Sequence, residues 1–246
     1  MAGLSGAIIA AGRGERLRGA SGGIPKPLVD LAGEPMITRQ ARTMLSMGAR
    51  PVYVIVNSET ARLMRERGLE LPAGVDLCVR DTANSMESLL TLGERIAGGR
   101  FLLATVDSIT SDDEYRHFVT RATDLTDPAA HLFDGALGVV KWRRDPNPLF
   151  VQVADGNLIS AFGEEETPMV TAGVYLFSTR IFLYGAEARS LGLGAMRRFL
   201  ALLLNKGMRF AAIEMKSVVD VDEGRDLEAA RTIAKLGRED SRCGSR

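Results

Sequence analysis

The run Ala7-Ile8-Ile9-Ala10-Ala11 is apolar throughout and stops abruptly at Gly12-Arg13-Gly14, a pairing that few folds accept. A continuous apolar stretch of this kind fits a strand buried on both faces, as in a parallel sheet. Glycines tolerate positive φ and leave backbone N–H groups uncovered, so the loop after the strand is a candidate anion cradle. Arg13, Arg16, Arg18 and Lys26 then crowd cationic side chains around it, as a polyphosphate requires. Lys26 sits in Ile24-Pro25-Lys26-Pro27, where each proline fixes its own φ and disfavours a helical residue before it. The lysine is therefore carried on a stiff, extended arm, suited to meeting a phosphate at a fixed distance.

Two familiar glycine signatures fail here. A dinucleotide fingerprint needs a third glycine where Leu17 stands, and a phosphate-binding P-loop needs a Gly-Lys-Ser/Thr that nothing near Gly14 supplies. What remains is Ala-Ala-Gly-x-Gly-x-Arg-Leu from Ala10 to Leu17 followed by Pro-Lys-Pro-Leu from Pro25 to Leu28. That combination resembles the nucleotidyltransferases of the nucleotide-sugar pyrophosphorylase type, which join a nucleoside triphosphate to a sugar phosphate or phosphoalcohol. The resemblance implies that Ala10, Ala11, Gly12, Arg13 and Gly14 bind the nucleotide. It also implies that Arg16 and Lys26 are the catalytic cations that hold the triphosphate and steady the charge at the attacked phosphorus.

At 246 residues the chain is most simply one domain, expected over residues 1–237 with a flexible tail at 238–246. Lysine plus arginine equals aspartate plus glutamate at 31 each, which gives no reason to propose nucleic acid or an anionic membrane as a partner. Cys78 and Cys243 lie far apart without ligand spacing, as suits a reducing compartment. The first apolar stretch has no basic segment before it and runs straight into the glycine loop, so it reads as a strand and not a secretion signal. No apolar stretch is long enough to span a bilayer, and the expected location is the cytoplasm.

Down the chain, Pro35 opens a helix lined by Ile37, Ala41, Met44 and Leu45, and Val52 to Val56 is again continuously apolar. A helix from about Glu59 to Arg67 and a strand from Val75 to Val79 repeat the unit. This rhythm predicts an α/β fold with a Rossmann-like, open, mostly parallel mixed sheet flanked by helices. After Asp81 to Ser85, a polar turn, a helix is expected from Met86 to Ile96. Ser85 reads as its cap, while the resemblance places base and sugar contacts in this loop and so on Asn84 and Ser85.

Phe101 to Val106 is the clearest buried strand, and it ends on Asp107. Ligands of open parallel sheets bind beyond the carboxyl ends of the strands, and an unpaired carboxylate there is costly unless it holds a cation, so Asp107 is assigned to metal. From Asp134 the pattern shifts to short β-like runs with a hairpin turn at Asp155-Gly156, an antiparallel acceptor-side subregion. Relatives usually carry Glu-Lys-Pro there, whereas this chain has Phe162-Gly163-Glu164-Glu165-Glu166, a departure at the acceptor side. Val170 to Phe177 resembles the family's glycine-bearing strand, which implies acceptor contacts at Thr171 and Gly173. Helices at about Thr179 to Ala188 and Ala195 to Lys206 read as packing or as a subunit contact, which a homo-oligomer would use.

In Val218-Val219-Asp220-Val221-Asp222, strand alternation puts two carboxylates on one face, where their repulsion favours a cation between them. The Asp-x-Asp form is similar to that of cytidylyl-transferring relatives acting on phosphoalcohols. The expected chemistry is therefore Mg2+-dependent: an acceptor phosphate attacks the α-phosphorus of a nucleoside triphosphate and pyrophosphate leaves, with Asp107, Asp220 and Asp222 holding the ion. Two other classes compete with it. A glycosyltransferase consuming a nucleotide sugar shares the sheet and an Asp-x-Asp site but needs no Pro-Lys-Pro arm, and a nucleotide-sensing module of the same fold needs no catalysis.

Overall fold

A computed structural model describes residues 3–129, 132–142, 148–163 and 166–243. The first half alternates strand and helix: β1 (Leu4–Ala10), the short α1 (Glu15–Arg18), α2 (Met36–Ser46), β2 (Val52–Val56), α3 (Ser58–Glu66), β3 (Val75–Val79), α4 (Ser85–Gly93) and β4 (Arg100–Thr105). The second half runs β5 (Ser108–Thr110), α5 (Asp112–Leu125), β6 (Gly135–Lys141), β7 (Phe150–Val153), β8 (Ile159–Gly163), β9 (Met169–Ser178), α6 (Gly185–Ser190), α7 (Met196–Asn205), β10 (Phe210–Glu214), β11 (Val218–Asp220) and α8 (Gly224–Cys243). Of the expected tail, residues 238–243 continue α8, and residues 244–246 lie outside the described residues, as do Glu164 and Glu165.

The main sheet has the order β10-β6-β9-β4-β1-β2-β3. Strands β4, β1, β2 and β3 are mutually parallel, as are β10 and β6, while β9 lies antiparallel between β4 and β6. Strands β7 and β8 form a hairpin off β9, its turn made by Gly156 and Asn157 with φ of 71° and 62°. This is the α/β, mostly parallel mixed sheet that the alternation predicted, with its smaller antiparallel part.

Alternation along each strand separates two cores. Ile8, Val54 and Leu102 point to one face, covered by Met36, Ile37 and Met44 of α2, Phe118 of α5 and Ala230 of α8. Ile9, Ile55 and Leu103 point to the other, under Leu89 and Leu92 of α4 and Phe199, Leu200 and Leu203 of α7. Burial on both faces explains why β1, β2 and β4 read as unbroken apolar runs.

Local chemistry sets the helix starts. Asn57 caps α3 by accepting from Thr60 N at 2.8 Å, and Asn84, one residue earlier than expected, caps α4 by accepting from Glu87 N at 3.1 Å. The helix expected from Thr179 is instead a 3-10 turn over Thr179–Tyr184 that leads into α6. The tighter turn lets Phe182 stack on Phe101, ring centroids 5.3 Å apart.

Two strands have no clear sequence signal. Strand β10 is short and alanine-rich, and β5 is only three residues long. Strand β5 nevertheless pairs antiparallel with β11, placing Asp220 opposite Ser108, and Val221 N donates to Asp107 O at 3.1 Å. This two-stranded ribbon carries the end of the chain back to the carboxyl end of β4.

Candidate active site

A cavity of about 460 Å³ opens beyond the carboxyl ends of β1 and β4. Its wall includes Ala10, Gly12, Arg13, Gly14, Arg16 and Lys26 from the first loop and arm. Ser85, Thr105, Asp107 and Asp222 also line it, so residues far apart in the chain meet in one crevice.

Each part of the first loop has a local reason for its place. Gly14 has φ 58°, and a Cβ there would lie 2.8 Å from the Cβ of Lys26, so a side chain would both strain the backbone and push the lysine arm away. At Gly12 a Cβ would meet nothing within 4 Å, which leaves the backbone open to a ligand. Ala11 is absent from the cavity wall, and its carbonyl accepts from Asn57 Nδ2 at 3.1 Å. Asn57 thus ties the end of β1 to the start of α3, a role that its capping chemistry hides in the sequence.

The Pro-Lys-Pro arm delivers Lys26 into the acidic side of the crevice. Residues Lys26–Leu28 form a single 3-10 turn after Pro25, whose ψ of 140° is extended. The buried ammonium donates to Asp107 Oδ2 at 2.5 Å and to Asp222 Oδ1 at 2.7 Å, across 81 and 196 residues of chain. The other oxygen of Asp222 meets Arg16 at 2.6 Å. Burial alone pushes the Asp107 carboxyl up, but the Lys26 ammonium and hydrogen bonds from Lys26 and Thr105 outweigh it and hold the carboxyl below its usual value. Burial likewise disfavours the Lys26 ammonium, yet Asp107 and then Asp222 raise its pKa above the normal lysine range.

Asp107, Asp220 and Asp222 each offer a carboxylate oxygen, and the three lie within 4.8 Å of one another. Hard, anionic oxygens gathered this closely fit a divalent cation, and the Lys26 ammonium seated between two of them shows that the position stabilises positive charge. Asp222 is not the cap of α8. The main-chain N–H groups of Asp222 and Glu223 both donate to Asp226 Oδ2, at 3.1 and 2.7 Å, leaving the Asp222 carboxylate free for the crevice.

Other predicted residues lie outside this ion-pair cluster. Arg13 is exposed and reaches Glu15 at 3.9 Å. Asn84 uses its side-chain oxygen on the α4 cap, while Ser85 reaches the cavity wall. Neither Thr171 nor Gly173 lines the cavity, and a Cβ at Gly173 would lie 1.9 Å from Ser108 Oγ, so the missing side chain makes room for that buried hydroxyl.

A family model for the MobA-like NTP transferase domain matches residues 6–169, the span from the glycine loop through Asp107 to the antiparallel hairpin. The chain belongs to that family. Among curated relatives, a glucose-1-phosphate thymidylyltransferase from an Actinoplanes species is 27% identical over 189 residues, covering 72% of this chain and 59% of the relative. A mannose-1-phosphate guanyltransferase from Gibberella zeae is 28% identical over 195 residues, covering 72% of this chain and 50% of the relative. The chain thus spans about half to three-fifths of the length of these relatives.

The fold has solved counterparts. The inositol-1-phosphate CTP transferase from T. maritima aligns with TM-score 0.74 at 16% identity, over 96% of this chain and 97% of that one. A CTP:phosphocholine cytidylyltransferase from Streptococcus pneumoniae aligns with TM-score 0.70 at 18% identity, over 94% and 99%. Among the described residues no helix is long and apolar enough to cross a membrane.

Proposed function

We propose that this MobA-like domain is a magnesium-dependent nucleotidyltransferase: an acceptor phosphate oxygen attacks the α-phosphorus of a nucleoside triphosphate, and pyrophosphate leaves. The observation that carries this reading is the convergence of Lys26 and Arg16 on Asp107 and Asp222 at the mouth of a cavity lined by the glycine loop. The curated relatives, whose names specify sugar 1-phosphates as acceptors, support the same reaction class.

The acceptor phosphate is already an anion at neutral pH, so no protein nucleophile is required. The difficulty is to bring two anions together, and positioning supplies roughly 7–11 kcal/mol of such a barrier. In this reading the amides of the Gly12–Gly14 loop and Arg16 hold the β- and γ-phosphates. Lys26 leaves its carboxylates for the α-phosphate, where its rigid arm meets the charge that develops in the transition state. Asp107, Asp220 and Asp222 would hold the magnesium, whose charge would offset that of the phosphates and contribute several kcal/mol more. Ser85 faces the nucleoside side of the crevice, and Asn84 contributes by fixing the start of α4. Thr171 and Gly173 act on the acceptor side by shaping the sheet beneath it.

The partners are then a nucleoside triphosphate and a sugar phosphate or phosphoalcohol, in keeping with a chain whose basic and acidic residues are equal in number. Pyrophosphate release, measured with magnesium for the four nucleoside triphosphates against a panel of sugar phosphates and phosphoalcohols, tests the proposal. One acceptor–nucleotide pair should give turnover dependent on magnesium. Binding of nucleotide with no release for any pair would favour a sensing module.

A further inference from the structure

Gln40 lies in the middle of α2, 4% exposed, among the apolar residues Met36, Ile37, Ala41 and Met44 that the helix presents to the sheet. A leucine or methionine would serve that core as well, and a buried amide is costly unless its donors are satisfied. The side-chain amide of Gln40 donates to Ser108 O at 2.6 Å and to Thr105 O at 3.3 Å. Those two carbonyls bracket Val106 and Asp107, the turn between β4 and β5, and one NH2 group with two protons satisfies both.

The same turn is clasped from within. Thr105 Oγ1 and Ser108 Oγ are 2.7 Å apart, so the two ends of the turn are tied to each other. Gly173 leaves space for this hydroxyl pair, since a Cβ there would lie 1.9 Å from Ser108 Oγ and 2.7 Å from Thr105 Oγ1. On its far side the turn carries the ribbon: Ser108 pairs with Asp220, and Asp107 O accepts from Val221 N. Whatever sets the Thr105–Ser108 turn therefore sets all three carboxylates of the cation site.

We infer that Gln40 is a positioning residue for the divalent cation, holding from behind the turn that aims Asp107 and, through the β5–β11 ribbon, Asp220 and Asp222. The inference rests on the reading that these carboxylates bind the metal. Residues that orient metal ligands typically govern affinity by about 10–100-fold, which sets the effect to be sought.

The test is Mn2+ binding to the full chain without nucleotide, with free Mn2+ read by electron paramagnetic resonance. Gln40→Met, which keeps the volume and removes both donors, should weaken Mn2+ binding by about tenfold or more. Thr43→Val is the control, because Thr43 is buried on the same helix but bonds Asp112 Oδ1 at 3.2 Å instead of the turn. It should lower the melting temperature and leave Mn2+ affinity unchanged. In an Asp107→Asn background, Gln40→Met should cause a smaller further loss, since only the part that acts through Asp220 and Asp222 remains. Gln40→Asn, which withdraws the amide by one methylene, reads the same effect if the methionine variant does not fold. Wild-type affinity in the Gln40 variants, or an equal loss in Thr43→Val, overturns the positioning role alone. Failure of the wild-type protein to bind Mn2+ overturns the metal reading itself and the positioning role with it.

Discussion

Two ionic clusters hold aspartates five positions apart in the chain, and they differ in what surrounds them. Asp112, at the start of α5, meets Arg39 and Arg42 at 3.5 Å each, while Arg42 also meets Glu34 at 3.2 Å. Two cations face two carboxylates, Arg39 and Glu34 are buried, and Arg39 adds a hydrogen bond to Thr110 O at 2.9 Å. That cluster joins α2 to α5. Around Asp107 the contacts are shorter, 2.5 to 2.7 Å, with Lys26 held between Asp107 and Asp222 and Arg16 on Asp222. These side chains line a cavity instead of joining two helices. A cluster that ties two helices together is a brace, and one that opens onto a cavity has the geometry of a receptor.

Substitutions can break this contrast. The largest expected effect is Lys26→Ala, which removes the cation proposed to meet the developing charge: kcat should fall about 100–1,000-fold with little change in nucleotide KM. Equal changes in both constants would reduce the lysine to a binding role. Next come paired aspartate variants. Asp112→Ala strands two guanidinium groups and should cost about 3 kcal/mol in chemical denaturation while sparing turnover. Asp107→Ala should abolish magnesium-dependent turnover but cost less, about 1–2 kcal/mol, because Lys26 keeps Asp222 as a partner. If the two variants behaved alike, brace and receptor would not be distinct.

Two smaller effects sharpen the same point. Magnesium at about 100 times its dissociation constant should stabilise the wild-type protein by about 2.7 kcal/mol in thermal melting, and this gain should vanish in Asp222→Asn. The pH dependence follows from Asp107, whose pKa in the fold lies below its unfolded value near 3.9. Its stabilising contribution is present in full above that unfolded value and is lost as pH falls through the folded one. Lys26 is shifted upward, so its contribution holds below about pH 10 and fades only as pH rises through its folded value. Lys26→Met should therefore weaken the acid dependence of stability and leave the slope between about pH 5 and 9 unchanged.

Much of this was legible because it is local. The unbroken apolar runs of β1, β2 and β4 state a sheet buried on both sides, and a glycine loop followed by a proline-locked lysine states a cradle and an arm. Asp107 was marked by its place at the end of such a strand. The cap of α4 stands one residue before the expected Ser85, since a serine hydroxyl and an asparagine amide oxygen can each accept from a helix start. The strands β5 and β10 escaped notice because three residues, or an alanine-rich five, carry too little periodicity to stand out.

Sequence alone therefore determined the elements and the kinds of charge they bear, because periodicity, proline and glycine act over a few residues. Only the tertiary structure decided that Lys26 reaches Asp222 across 196 positions, that β9 enters the sheet reversed, and that Gly173 makes way for the Ser108 hydroxyl. Those outcomes depend on pairing between strands distant in the chain, such as β5 with β11, and such pairing is chosen by the packing of the whole fold.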